Sequence, residues 1–236
     1  MAESNVSNIT TVPNVIEVKG VTRSFQVAGN TFQALKGIDA VIPKGSFVIL
    51  KGRSGSGKTT LMNIIGMLDD PTEGQVLMEG RPVKDISTYE REELRRKKMG
   101  FVFQSVSLIP SLNAFQNVEF SMRMAGIKGG KERDERIEEC LNAVGLGKRM
   151  NHMPAELSGG EQQRVAIARA LAHKPSIILA DEPTAELDSA MAHRVTLLFQ
   201  EMSHKEGISI LMTTHDTGLM DSADAIIELE SGERIN

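Results

Sequence analysis

The stretch that decides the fold runs from Ser46 to Asp69, "SFVILKGRSGSGKTTLMNIIGMLD". Its first part, "SFVILKG", is a short apolar run ending in glycine and reads as a buried strand. Its last part, "KTTLMNIIGMLD", reads as a helix leaving the turn. Between them "GRSGSGKT", Gly52 to Thr59, matches G-x-x-x-x-G-K-[ST] with the strand-before, helix-after context that the pattern requires. Glycines let the backbone curl so that successive N–H groups surround a phosphate; the lysine reaches outer oxygens, and the following hydroxyl can ligate a divalent cation. The loop therefore assigns Gly52, Arg53, Ser54, Gly55, Ser56, Gly57, Lys58, Thr59 and Thr60 to phosphate binding, and Thr59 also to the metal. A merely flexible turn would explain neither the Lys58–Thr59 pair nor its placement.

Three further segments add chemistry to that loop. "IILADE", Ile177 to Glu182, is an apolar strand delivering two carboxylates at its C-terminal end. Beside a phosphate loop, Asp181 can hold the metal and Glu182 can orient an attacking water. Gln104 ends "GFVFQ" and His215 ends "ILMTTH", so both stand where short strands stop, the edge of an open α/β sheet where ligands bind. The strand before His215 is expected beside the one carrying Asp181. The other histidines, His152, His173, His193 and His204, lie in polar or helical settings and read as structural.

"LSGGEQQR", residues 157 to 164, precedes the apolar run "VAIARALA". A serine and two glycines opening a helix make an anion cradle, because the first helical N–H groups lack intrahelical partners. No lysine stands in it. The chain thus carries one complete phosphate loop and half of another.

Around these motifs the organisation is regular. Residues 1–14, polar and without an apolar core segment, read as a flexible tail and not as a signal peptide. "VIEVKGVTRSF" and "VAGNTFQAL" suggest strands joined near Gly29-Asn30, and "EGQVLMEGRPV" another turn and strand. From about 105 to 165 the pattern turns helical, in "LNAFQNVEFSMRMAG" and "ERIEECLNAVGL". "SIILADE" and "ISILMTTH" then flank a helix, "AMAHRVTLLFQEMSHKEG". Strands alternating with helices argue for an α/β fold with a mainly parallel sheet covered on both faces.

Composition narrows the function classes. The 236 residues carry a net charge of −4 with no basic tail, so a nucleic-acid partner is not expected. Apolar runs fall far short of the ~20 residues of a bilayer span, so the chain is not expected to cross a membrane itself. The single cysteine, Cys140, shares a helical face with Ile137, Leu141 and Val144 and reads as a small core residue.

The ordered set "GRSGSGKT", Gln104, "LSGGEQQR", "IILADEPT", "AELD" and "TTH" resembles the nucleotide-binding subunit of an ATP-binding cassette (ABC) transporter, from about Val15 to Ile235. "LMNIIGMLDDPTEG", "GFVFQ" followed by "LIPSLNAFQNV", and "ADEPTAELDS" are similar to the branch serving lipoprotein release, macrolide export and antimicrobial-peptide or haem efflux. The resemblance implies a P-loop NTPase with an N-terminal antiparallel β subdomain and an inserted α-helical subdomain, the whole of 15–236 forming one ATPase domain. It implies ATP and Mg2+ as ligands, with Glu182 polarising the water, His215 holding the γ-phosphate, Gln104 sensing metal and water, and Lys58 offsetting charge. Two copies would sandwich two ATP molecules head to tail, so that Ser158, Gly159 and Gly160 complete the partner's phosphate loop. Phe25, in "VTRSF", falls where the family stacks an aromatic, more commonly tyrosine, on adenine.

The implied setting is the cytoplasmic face of the cell membrane, reached through an integral-membrane permease docking around Gln104 to Phe120, where "VSLIPSLNAF" is unusually apolar. Two positions depart from the family pattern: Arg53, where proline or alanine is common, and Glu186 in "AELD", where an uncharged residue is common. Opposite charges at both suggest a pair across the dimer. The alternative class is a soluble ABC-type ATPase serving a DNA-repair or ribosome complex. Those resemble chains with a long coiled-coil insertion or two cassettes, and this sequence has neither heptads over many turns nor a second cassette.

Overall fold

A computed structural model of the chain describes residues 13–27 and 29–236. In chain order, β1 (Asn14–Val27), β2 (Asn30–Pro43) and β3 (Phe47–Lys51) lead into α1 (Lys58–Ile65). Then come β4 (Glu73–Met78), β5 (Arg81–Pro82), α2 (Thr88–Lys98) and β6 (Met99–Val102). Three helices follow, α3 (Ala114–Met124), α4 (Lys131–Ala143) and α5 (Gly159–Ala172). β7 (Ile177–Ala180), α6 (Ser189–Glu206), β8 (Ser209–Thr214), β9 (Ala225–Glu230) and β10 (Glu233–Arg234) complete it.

The strands make two sheets. One is antiparallel in the order β2-β1-β4-β5, and the other runs β10-β9-β3-β8-β7-β6, parallel except at β10. The central strands of the second sheet are buried along nearly their whole length, which is why they read as unbroken apolar runs. Alternate residues of β3 divide between two cores. Phe47 and Ile49 join the core built with α3, α4, α5 and α6, while Val48 and Leu50 join α1 and the antiparallel sheet.

Two sequence expectations are refined, and one helix has no counterpart among them. Residues 1–12 of the expected tail lie outside the described residues, but Asn14 already pairs with Pro43, and Lys44 N–H donates to the Pro13 carbonyl at 2.9 Å. The hairpin is present, yet Asn30 is already strand, paired with Val27, and Gly29 takes the positive φ of 84°. Helix α2, "TYEREELRRKK", buries no residue and so offers no apolar stripe to read. A reciprocal cap holds its start: Glu90 N–H donates to Ser87 Oγ, and Ser87 N–H donates to the Glu90 carboxylate.

Within the helical layer, Asn117 of α3 is fully buried and organises the segment before it. Its Oδ1 accepts from Ile109 N–H at 2.8 Å, and its Nδ2 donates to the carbonyls of Leu112 at 2.8 Å and Asn113 at 3.1 Å. Replacing it by alanine takes the side-chain partner from the Ile109 N–H and the Leu112 carbonyl, while Asn113 keeps its helical bond to the backbone N–H of residue 117, so Asn117→Ala is expected to lose about 1–3 kcal/mol in urea unfolding.

Cys140 lies in the same core, 3% exposed, beside Ile137, Leu141 and Val144. Burial pushes its thiol up to about 11, with Arg136 opposing the shift. At pH 8 only about one thiol in a thousand would be thiolate, so thiol reagents should leave native Cys140 unmodified and label it once the chain unfolds.

Candidate active site

Strand β3 ends at Lys51, whose ammonium pairs with Glu228 at 2.9 Å, and the chain then curls through residues 52–57 into α1. The curl needs its glycines. A Cβ on Gly52 would lie 2.4 Å from the Leu229 carbonyl oxygen, and one on Gly57 would lie 2.8 Å from that of Ala34. Gly57 also adopts a φ of 103° at the N-cap of α1, where no side chain caps the helix. The first-turn N–H groups therefore have no intrahelical acceptor. Lys58 is 6% exposed, and its ammonium donates to the carbonyls of Gly52 at 2.8 Å and Arg53 at 3.1 Å. The buried Ser56 hydroxyl has no hydrogen-bond partner.

The parallel strands bring a second group of side chains to this edge. β7 lies beside β8, as expected for the strands preceding Asp181 and His215, and β8 lies beside β3. Thr59 Oγ1 donates to Asp181 Oδ2 at 2.9 Å, joining the phosphate loop's helix to the end of β7. Thr213 Oγ1 donates to Asp181 Oδ1 at 2.6 Å and accepts from Glu182 N–H at 2.8 Å. Glu182 takes a φ of 47°, which turns its side chain out of the strand line. Its Oε2 lies 3.4 Å from Gln104 Nε2 and 3.3 Å from His215 Nε2.

Lys58, Thr59, Gln104, Asp181, Glu182 and His215 are thus gathered at one sheet edge. Gln104 reaches Glu182 and not the Asp181–Thr59 pair. The residue missed by sequence reasoning is Thr213, whose only signal was a hydroxyl inside the buried run "ISILMTTH".

The remaining candidates stand apart from this cluster. Phe25 is on β1, half-buried, with the Arg23 guanidinium 4.6 Å from its ring centroid. Its sheet touches the phosphate loop through Ala34 and Leu35, which pack on Gly57. Ser158 caps α5: its Oγ accepts from Glu161 N–H at 3.2 Å, and its own N–H donates to Glu161 Oε2 at 2.9 Å. That backbone hydrogen bond, with Arg149 and Arg164 nearby, holds the Glu161 carboxyl below its usual range. A Cβ on Gly160 would lie 3.1 Å from the Glu186 carbonyl oxygen, so the loop at 185–187 packs directly on the serine–glycine turn.

The site fits a nucleoside triphosphate with a divalent cation. Open helix N–H groups, an unpartnered buried hydroxyl and a buried ammonium suit phosphate oxygens, and the Thr59 hydroxyl beside Asp181 suits a hard cation.

Comparison with known proteins agrees. The ABC transporter family pattern matches residues 35–185. The chain is 47% identical over 219 residues to the macrolide export ATP-binding/permease protein MacB of Wolinella succinogenes, covering 93% of this chain and 34% of that protein. It is 44% identical over 222 residues to the ABC transporter ATP-binding protein MJ0796 of Methanocaldococcus jannaschii, covering 93% and 94%. It thus spans about a third of the first relative's length and nearly all of the second's. A dimeric post-hydrolysis structure of MJ0796 bound to ADP and Pi superposes with a TM-score of 0.88 at 42% identity, covering 94% of this chain and 97% of that one. With the family pattern matched over residues 35–185 and the fold shared, this chain belongs to the ABC transporter family as an ATP-binding cassette.

Proposed function

We propose that the cassette powers a membrane transporter of the export or lipid- and peptide-extraction type, with Glu182 as the base of its ATPase reaction. The observation that carries this reading is the convergence of Lys58, the Thr59–Asp181 pair and the Gln104–Glu182–His215 group on one sheet edge. The triphosphate lies on the N–H groups of residues 52–60, with Lys58 and Ser56 reaching its oxygens. Thr59 and Asp181 would hold Mg2+; when bound, the ion offsets charge on the phosphate oxygens. Glu182 takes a proton from water as the water oxygen attacks the γ-phosphorus and the bond to the bridging oxygen breaks, giving ADP and phosphate. His215 and Gln104 hold the Glu182 carboxylate in place, and His215 also contacts the γ-phosphate. Arg23 covers one face of Phe25, and the adenine stacks on the other.

Residues 15–236 act as one ATPase domain, with the helices within 105–165 as its inserted part. Two copies pair head to tail. Ser158 Oγ accepts from Glu161 N–H, which leaves its proton free to donate to a γ-phosphate held by the partner copy, alongside Gly159 and Gly160 N–H. That the similar MJ0796 cassette forms a dimer supports the pairing of two copies.

No described helix is long and apolar enough to cross a membrane. A permease docking surface is offered by a groove of about 240 Å³ where Phe103, Phe120 and Met124 are exposed and Arg95, Arg96 and Arg169 supply positive charge. Within the segment expected at 104–120, Leu108 and Phe115 are partly buried against the core and Phe120 is the exposed contribution to this groove. On this reading the cassette works at the cytoplasmic face of the membrane.

Glu182→Gln removes the accepting charge while keeping shape. Its turnover is expected to fall at least about 100-fold with MgATP binding retained, and gel filtration should show an ATP-dependent dimer. Wild-type turnover in that variant would remove Glu182 from the role.

Glu186 and Arg53 are both exposed, and the Glu186 carboxylate lies beside Gly159, on the face proposed to meet the partner's phosphate loop. In the Glu182→Gln background, Arg53→Ala and Glu186→Ala are expected to weaken ATP-driven dimerisation non-additively, by about 0.5 kcal/mol or more, with the coupling fading in high salt. Additive losses would mean that the two side chains do not meet.

A further inference from the structure

We propose that Thr213 is a positioning residue for ATP hydrolysis, its hydroxyl setting the relative orientation of the Asp181 carboxylate and the Glu182 backbone. The proposal rests on the reading of Glu182 as the base. Strand β8 is buried along its whole length, and Thr213 within it is fully buried. A hydroxyl in that setting is costly unless its bonding capacity is used. Here it is used on both sides. The one proton goes to Asp181 Oδ1 at 2.6 Å, a length typical of a hydroxyl donating to an ionised acceptor, and the oxygen accepts Glu182 N–H at 2.8 Å.

The two residues it holds are neighbours with different tasks. Asp181 has its other oxygen on Thr59, at the phosphate loop, and its N–H donates to the Val102 carbonyl at 2.8 Å. Both Asp181 oxygens are therefore tied to hydroxyls, which fixes the plane of the carboxylate. Glu182, one residue on, has left the ladder, since β7 ends at Ala180. Its left-handed backbone conformation is one that residues with a side chain seldom adopt, and its N–H is held by the Thr213 hydroxyl. That conformation aims the carboxylate at Gln104 and His215. Thr213 therefore transmits the position of the metal-side carboxylate to the base without touching nucleotide or water.

Valine has the shape of threonine without the hydroxyl, so Thr213→Val isolates the two hydrogen bonds, and Thr213→Ser restores them. Steady-state ATPase kinetics of both, with MgATP binding measured separately, are expected to show a kcat about 10- to 100-fold lower in the valine variant. KM and the dissociation constant should stay within about 3-fold, and the serine variant should recover most of the turnover. Added to Glu182→Gln, Thr213→Val should cost little more, because the group it orients is already gone. If the valine chain is not recovered folded, Thr213→Ala reads the same kcat loss. Unchanged kcat in Thr213→Val, or an equal fold-loss in the Glu182→Gln background, would overturn the positioning role. Turnover retained in Glu182→Gln itself would instead overturn the base assignment, and this proposal with it.

Discussion

Parallel pairing in a single register is the constraint on which this molecule depends. Lys51 lies opposite Thr214, Ala180 opposite Met212, and Val102 opposite Ala180. Three strands therefore run out of ladder at one edge, and the next residues of each, Gly52, Asp181 and His215, emerge together. Inside the sheet a charged side chain would face a dry core on either side. At the edge it meets hydroxyls and solvent. A slip of one residue between β7 and β8 would place Thr213 out of reach of Asp181 and turn alternate side chains to the wrong core. Register here is both packing and chemistry, because the apolar runs that bury the strands also position the carboxylates.

The two anion-binding turns differ in a way that follows from what sits at each helix start. At α1 the cap is a glycine with no side-chain acceptor, and a lysine is buried among the loop carbonyls. At α5 the cap is Ser158, and a carboxylate, Glu161, already accepts from the Ser158 N–H at the positive end of the helix. The hydrogen bond that keeps the Glu161 carboxyl ionised also offsets part of the dipole that a phosphate would use. A turn so neutralised is a poor phosphate site alone. On the head-to-tail reading it is suited to adding hydrogen-bond donors to a phosphate whose charge Lys58 of the other copy balances.

The fold was legible wherever burial wrote a period into the sequence. β3, β7 and β8 are apolar runs because both their faces are covered, α3 and α4 carry stripes because one face is, and the run in α5 reflects burial on successive residues 165–168 and 170–172. Helix α2 was not legible, since capping and ion pairs such as Lys97–Glu93 stabilise it and leave no apolar record. Phosphate-loop residues and the two carboxylates could be read because their chemistry is local in sequence. Thr213 could not, because its meaning depends on lying across a strand pair from residues 32 and 31 positions away. Sequence also leaves open which apolar side chains of the expected docking segment are exposed: Leu108 and Phe115 are partly buried against the core while Phe120 is exposed, and only packing decides this.

Gln104 lies where the sheet and the helical layer are joined. On one side it follows Phe103, whose carbonyl accepts from Gln163 Nε2 at 3.5 Å, and Gln163 is buried on α5 a few residues from Ser158. On the other side the chain runs to Ile109, whose N–H and carbonyl are both held by Asn117 of α3. Between these holds, Ser107 offers its carbonyl to Arg169 at 2.7 Å, again on α5. The strand–helix connection is therefore anchored to the helical layer at three points, while the Gln104 side chain reaches back to Glu182 on the sheet. Packed helices shift as bodies and not by stretching, so any rotation of α3 and α5 against the sheet must displace Gln104 relative to the carboxylate. The groove proposed for the permease is lined by Phe120 and Met124 of α3, Arg169 of α5 and Phe103. On the proposed reading, a partner at that groove meets the same helices that anchor the connection carrying Gln104, so docking and the proposed base share α3 and α5.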